Sequence, residues 1–339
     1  MRLEDHIRAE ATRLGFDAVG LARAEPIDAG FLKRWIGDGY HAEMAYLARS
    51  PEARLDPSQL LEGAKTVVSV ALNYLPPGYE PGRMGPKISR YAVGRDYHLE
   101  LPERLTELLE SIQAVRPGTR GRLAVDAQPT CDKVWAQLAG VGWIGKHSNV
   151  LRRGLGSWFF LGELFLDVEL EPDAPATDHC GTCTACIDAC PTQAIVADGV
   201  VDAGRCISYW TIEKRAEIPE PWRERLEDWI FGCDVCQEVC PWNREAPPTH
   251  VDAFHAREQF ATSDATELIE AAQQNFKRSF PQSALERTRR GGLLRNLAIW
   301  LAHQPSDVAL PLLQRLATDR DPNVQEHARW ALERINTHE

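Results

Sequence analysis

No apolar run in this chain approaches the roughly 18 residues that a bilayer-spanning helix needs. The longest, Trp158 to Leu166, is interrupted by Glu163. The N-terminal MRLEDHIRAEATRLG reads as an amphipathic helix carrying acids, with neither the apolar centre of a signal peptide nor paired arginines. These absences exclude a helical membrane protein and give a cytoplasmic expectation. Positive charge is also scarce. A net charge of −11 rules out a uniformly basic nucleic-acid coat and leaves room only for a local patch. Cysteine is nearly absent outside one segment, since Cys131 alone of the nine lies outside Cys180 to Cys240, and a distributed disulfide framework is thereby excluded. What remains is an ordinary globular composition, 44% hydrophobic and 26% charged over 339 residues, enough for two or three domains.

The cysteine segment carries the most specific signal. Cys180, Cys183, Cys186 and Cys190 read C-x2-C-x2-C-x3-C-P, and Cys233, Cys236 and Cys240 read C-x2-C-x3-C-P. The first is the spacing with which bacterial ferredoxins hold a [4Fe–4S] cluster, the fourth cysteine serving the other cluster. A residue before proline is pushed out of the helical region, so Cys190 and Cys240 can turn toward the opposite cluster. Crossed ligation then assigns Cys180, Cys183, Cys186 and Cys240 to cluster one, and Cys190, Cys206, Cys233 and Cys236 to cluster two. Cys206 stands in for the cysteine missing from the second run. Structural zinc prefers paired C-x2-C motifs in sets of four, and a triple run closed by Cys-Pro is unusual for it.

Along the chain the fold class reads as α+β in three parts. Residues 1–172 alternate helix and strand, an α/β pattern with strands expected at Phe16 to Ala22, Thr66 to Tyr74, Leu123 to Asp126 and Ser157 to Leu170. Helices are expected over Leu3 to Leu14, Leu99 to Val115 and Lys133 to Ala139. Gly140 to Gly145 spells G-x-G-x-x-G, but no strand precedes it and no helix follows, so a dinucleotide site is not expected. A Pro- and Ala-rich linker leads into a two-cluster, ferredoxin-like module at 173–250. Residues 251–339 are helical, with helices at Ala265 to Ala272, Gly292 to His303, Val308 to Thr318 and Asn323 to Ile335. DPNVQEHARWALERI resembles the second helix of a HEAT-type repeat. A plain helical bundle is the competing reading. Here the positive charge is concentrated: Lys277, Arg278, Arg287, Arg289, Arg290 and Arg295, against one acid, Glu286. Such a run positions a nucleic acid through its phosphates, although a charge run is more often a solvated face.

Several stretches, taken in order, resemble the epoxyqueuosine reductases. They are RYAVGRDYH (Arg90 to His98), VDAQP (Val125 to Pro129), GWIGKHSNVL (Gly142 to Leu151), GSWFFLGELFLD (Gly156 to Asp167), the two cysteine runs, RCISYWTIE (Arg205 to Glu213) and RRGGLLRN (Arg289 to Asn296). The resemblance covers nearly the whole length, and its cluster module is shared with reductive dehalogenases. It implies that the front half binds cobalamin, that electrons come from an external low-potential donor through both clusters, and that the substrate is epoxyqueuosine in a tRNA anticodon stem-loop. Asp126 is implied as proton donor, with a carboxyl pKa raised by apolar neighbours Leu123 and Val125. Asp132 is its local rival. Tyr97 and His98 are expected on the substrate side of the corrin, and Trp143, Lys146 and Ser208 as corrin or cluster contacts. Asp96-Tyr97-His98 begins like the D-x-H-x-x-G cobalamin motif, but Leu101 replaces its glycine, so base-off cobalamin is implied. The basic run would then clamp tRNA, and a monomer suits that task. Two alternatives stand beside this reading: another cytoplasmic corrinoid reductase, for which the helical tail would be superfluous, and a pure electron carrier, which leaves the front half unexplained. Cys131 is read as an inert buried thiol.

Overall fold

The computed structural model describes residues 2–83, 85–261, 264–304 and 307–338. Its front half is built on a four-stranded sheet. In chain order its main elements are α1 (Leu3–Arg13), β1 (Ala18–Arg23), β2 (Thr66–Asn73), α2 (Tyr97–Val115), β3 (Gly121–Ala124), α3 (Asp132–Leu138) and β4 (Phe159–Leu166), with shorter helices such as Gly30–Gly37 between them. Spatially the strands run β1-β2-β4-β3. Each ladder is antiparallel. The alternation of helix and strand suggested an α/β half, and the antiparallel ladders correct this to α+β. Helices α1 and α2 cover one face through Ile7, Leu101, Leu105, Leu108 and Ile112. Helix α3 covers the other through Trp135 and Ala136. With both faces covered, β2 is buried along its whole length, which is why TVVSVALN reads as one apolar run and not as an alternation. The fit is close enough that a Cβ on Gly20 would lie 1.9 Å from the Ala139 carbonyl oxygen.

The glycine string at Gly140 to Gly145 belongs to a small hairpin that pairs Trp143–Ile144 with Val150–Leu151. A Cβ on Gly142 would lie 2.3 Å from the Leu151 carbonyl oxygen, so this glycine serves strand packing. The linker toward the cysteines is tied down: the Asp173 carboxylate accepts from Arg8 at 2.8 and 2.9 Å and from the Leu21 amide at 2.8 Å.

In the cysteine segment two short helices, Ala185–Asp188 and Val235–Glu238, each lead into a Cys-Pro step. Strand Trp229–Phe231 leaves the segment to pair in parallel with Lys87–Ile88 of the front half. The tail consists mainly of α4 (Ala265–Ser279), α5 (Arg289–Ala302), α6 (Ala309–Leu316) and α7 (Pro322–His338). Asp264 caps α4 by accepting from the Glu267 amide. The apolar pattern expected only to Ala272 stops just before a kink, at which Asn275 has φ −159° and ψ 90°. The core of the tail contains Leu293, Leu294 and Leu297 together with Ile88, Ile230 and Phe231, so all three parts of the chain meet in it. Among the described residues no helix is long and apolar enough to cross a membrane.

Candidate active site

Strand β3 delivers the loop that carries Asp126. The Val125 amide donates to Gln128 Oε1 at 2.8 Å. Asp126 then takes φ +54°, a left-handed conformation that few side chains other than Asn and Asp adopt readily. Its carboxylate points away from the core, 64% exposed, into a cleft between the front half and the cysteine segment. Tyr97 Oη donates to Asp126 Oδ2 at 2.6 Å. His98 Nε2 stands 3.5 Å from the same oxygen, and His98 Nδ1 lies 2.8 Å from Asp96 Oδ1. The Tyr97 ring stacks on Phe160 with centroids 4.3 Å apart, which fixes its hydroxyl.

This arrangement corrects one expectation. The hydrogen bonds from His98 and then Tyr97 outweigh burial and hold the Asp126 carboxyl below the usual range. Burial alone would lower His98, but its bonds to Asp126 and Asp96 carry it up to about 9. Apolar neighbours therefore do not keep a proton on Asp126 in this conformation; the proton sits on the imidazole.

The cleft is a cavity of about 450 Å³ whose walls include Tyr97, Asp126 and Phe160 from the front half. Cys190, Cys206, Cys233 and Cys236 line the same cavity, as does Ser208. A second space of about 930 Å³ shares Tyr97, Asp126, Cys206 and Ser208 with it and adds His98, Tyr46, Glu213 and Arg287 at the mouth. Lys146 lies instead in an adjoining groove with Phe31, Trp35 and Cys131, its Nζ 3.3 Å from Asp198. Trp143 is not in these cavities. As a hairpin residue it points the other way, 3% exposed, packed with Cys180, Cys240 and Trp242. Of the two expectations for it, corrin or cluster contact, this packing agrees with the second. Cys131 is half-buried, and burial pushes its thiol up to about 11.

The cysteines influence one another. Burial and the neighbouring thiols of Cys240, Cys180 and Cys183 push Cys186 up to about 11. Burial raises Cys236, and the thiols acting on it most strongly are Cys206 and then Cys190. Cys233 likewise feels Cys206 and Cys236. No group of three His, Cys, Asp or Glu among the described residues is arranged to hold a single ion. Cys183 is exposed while Cys186 and Cys240 are buried, so the first quartet reaches the surface.

The basic run does not stay together. Lys277, Arg289 and Arg290 line one shallow groove, which Arg320 joins. Arg290 is pinned there by Asp319 at 2.9 and 2.5 Å. Arg278 faces a neighbouring depression with Arg257. Arg287 guards the cavity mouth, donating to Glu213 at 2.8 Å. Arg295 is no nucleic-acid contact: it is wholly buried and donates to the carbonyl oxygens of Trp210, Lys214 and Ala216 at 2.9, 2.8 and 3.0 Å. That triple grip ties Arg295 to the main chain of the wide turn at 209–216.

Sequence reasoning missed the surroundings of Glu163. It lies on β4 opposite Ser69 and Ala124, entirely buried, with Ser69 Oγ 3.3 Å from Oε1. The interruption it makes in an apolar strand was the available signal. Tyr46 and Arg320 gave none.

Two family models match. Residues 179–243 fit the 4Fe-4S double cluster binding domain, and residues 54–127 fit the domain described as Epoxyqueuosine reductase QueG, DUF1730. The epoxyqueuosine reductase of Leadbetterella byssophila is 47% identical over 295 residues, which is 86% of this chain and 96% of that protein. A crystal structure of an epoxyqueuosine reductase with a tRNA-Tyr epoxyqueuosine-modified stem loop superposes with a TM-score of 0.86 at 30% identity, covering 98% of this chain and 90% of that one. The Bacillus subtilis enzyme, solved with its catalytic aspartate loop swung out of the active site, gives a TM-score of 0.88 at 29% identity over 98% and 90%.

Proposed function

Because the chain belongs to the epoxyqueuosine reductase family, we propose that its cleft is where epoxyqueuosine in tRNA loses its epoxide oxygen, and that Asp126 is the group that meets that oxygen. The observation that carries this reading is the placement of the Asp126 carboxylate, held by Tyr97 and His98, in the cavity that four cysteines also line. A proton source and an electron source thus face a single space.

The residues fit the cofactors of the family. The four cysteines around the cavity support their assignment to cluster two, and the mutual influence of Cys180, Cys183, Cys186 and Cys240 supports cluster one at the surface, where an external donor can reach it. His147 Nε2 and Thr130 Oγ1 are buried without partners. They line the first and the second space, respectively. The His147 ring is neutral, burial pushing it down to about 4, and its Nδ1 accepts from the Asn149 amide, so Nε2 carries a hydrogen. A corrin rim, studded with amides, supplies the acceptors such atoms lack. Both nitrogens of His98 face carboxylates, which supports a base-off cobalamin without this histidine as ligand. When bound, the clusters and cobalamin supply two electrons at the epoxide.

The chain's own residues then handle the protons and the fit. The reaction adds two electrons and two protons and releases water, so the epoxide oxygen needs an acid. Tyr97 and His98 hold the Asp126 carboxyl at the cavity edge. Filling the cavity excludes water from a carboxyl now largely exposed, and loss of that solvation raises its pKa toward that of a donor. The swung-out loop of the Bacillus subtilis relative supports a mobile Asp126 loop here. Ser208, in the cavity wall, is read as a cofactor contact, whereas Lys146, in the adjoining groove beside Asp198, lies outside that wall.

For the partner, the relative solved with a tRNA stem loop supports tRNA, bound across the mouth. Arg287 at the rim and Lys277, Arg289, Arg290 and Arg320 in their groove would take phosphates, on a tail whose stacked helices we read as HEAT-like. We divide the chain at 172 and 250 into cobalamin, cluster and tRNA-binding units, acting as a monomer in the cytoplasm. The test is nucleoside mass analysis. Anaerobic protein with cobalamin, a low-potential reductant and tRNA from cells lacking the activity should remove one oxygen from epoxyqueuosine. Asp126→Asn should slow this by roughly 10²–10⁴-fold. A wild-type rate in that variant would remove Asp126 from the mechanism.

A further inference from the structure

Behind the Asp126 loop lie two carboxyls that the mechanism above does not use. Glu163 comes from the centre of the sheet, and Asp132 from the first turn of α3. Glu163 is wholly buried on β4. The two side chains are within hydrogen-bonding reach of each other, and the Asp126 main-chain amide donates to Asp132. Neither Glu163 Oε2 nor Asp132 Oδ1 has any hydrogen-bond partner, although both are buried. Two carboxylate oxygens cannot bond to each other without a hydrogen between them. Two anions at that separation would also repel with no water to screen them. One shared proton removes both costs.

The groups facing the pair allow no cheaper solution. Strand β2 offers only the Ser69 hydroxyl, 3.3 Å from Glu163 Oε1. Strand β3 offers Ala124. The loop after it brings the negative charge of Asp126. Helix α3 brings Lys133, whose effect on Asp132 is smaller than that of burial and of Asp126. The Lys133 Nζ is 3.3 Å from Asn149 Oδ1. Burial first, then the neighbouring carboxylates, raise both Asp132 and Glu163 above the usual carboxyl range.

We propose that Asp132 and Glu163 hold one proton between them and pass it to Asp126 during turnover, making this pair the source of the second proton. The inference rests on the reading of the site given above. Asp126 and Asp132 line the same two spaces, so transfer runs through the cavity. The balance closes. As the filled cavity raises its carboxyl, Asp126 takes the proton held by His98 and gives it to the epoxide oxygen as the first carbon–oxygen bond opens. The pair's proton then restores Asp126, which gives it to the departing hydroxide as the second carbon–oxygen bond breaks. Two electrons from the clusters and cobalamin complete the alkene, water leaves, and His98 and the carboxyl pair each regain a proton from solvent at the open mouth. Asp132 and Glu163 act through Asp126 and so are positioning residues.

The first measurement is infrared spectroscopy of the unaltered, substrate-free protein. A protonated-carboxyl band is expected at neutral pH, and it should be lost in Glu163→Gln, which keeps the side-chain volume. Absence of that band in the unaltered protein overturns the proposal and does not depend on which substrate is used. The second is the pH profile of single-turnover reduction. The rate should fall as pH rises and the pair ionises. In Glu163→Gln the shared proton has no second carboxyl to hold it, Asp132 ionises at lower pH, and the falling limb should move down with it. At neutral pH the variant should be roughly tenfold or more slower. An unmoved limb and an unchanged rate overturn the proposal. Epoxyqueuosine left intact by wild-type protein that still shows the band would instead count against the substrate reading.

Discussion

Two stretches of this chain look alike on paper, each a run of one residue type in a short length, and they fold to opposite ends. The cysteines from Cys180 to Cys240 stay within one double cluster binding domain, four of them on the wall of a single cavity. The basic residues from Lys277 to Arg295 scatter to a groove, a neighbouring depression, a cavity rim and a buried core. A cluster ties ligand spacing to a fixed metal geometry, so the positions of its cysteines are constrained jointly. A charge run carries no such joint constraint. Each arginine goes where its own element sends it, and Arg295 lies inside because α5 is buried on every side from Leu293 to Ile299.

The contrast can be broken or sharpened by substitution. The largest effect is expected at Cys206, the weakest member of the cysteine assignment. Cys206→Ala should lose about half of the bound iron and abolish reduction, whereas Cys131→Ala should retain its iron; equal iron in both variants would dissolve the second quartet. Next comes Arg295→Met. Removing a buried guanidinium that satisfies three carbonyls should cost about 3 kcal/mol in urea unfolding, with surviving folded protein still binding tRNA. Arg289→Ala should do the reverse: unchanged stability, weaker tRNA binding and a salt-dependence slope smaller by about 0.7–0.9. If the two arginines behaved alike, the separation of core from surface would be wrong. The smallest effect belongs to His98. Its folded pKa of about 9 lies above its unfolded value of about 6.5, so its bonds to Asp96 and Asp126 stabilise fully below the lower value and are lost as pH rises through the upper. The pair is partly exposed, so this amounts to less than about 1 kcal/mol. A His98→Gln variant should lose that pH dependence when melting is compared near pH 6 and near pH 10.

Legibility followed the same line. The sheet strands were visible because burial on both faces leaves a run rich in β-branched and apolar residues without alternation, as in Thr66 to Asn73. Cluster spacing gave the electron side. The proton side was half visible: VDAQP marked Asp126, but its ionised state depends on Tyr97 and His98, which α2 brings across from a point 29 residues earlier for Tyr97. Glu163 was seen only as a blemish in an apolar strand, because the sequence does not say which face of β4 it takes or that α3 sets Asp132 against it. For Trp143 the choice between corrin and cluster side stayed open for the same reason. A two-residue strand gives no alternation from which to read its direction.

The parallel pairing of Trp229–Phe231 with Lys87–Ile88 bears on whether the iron–sulfur part is portable. Ferredoxin units are commonly pictured as cassettes, moved whole between proteins. Here the cassette is sewn in. Cutting it out at 173 and 250 would strip Ile230 and Phe231 from the leucines of the tail and leave the carbonyls of Trp210, Lys214 and Ala216 without Arg295. The excised piece would present raw apolar faces, and so would what it left behind. A graft of this wiring into another enzyme has to bring its neighbours with it.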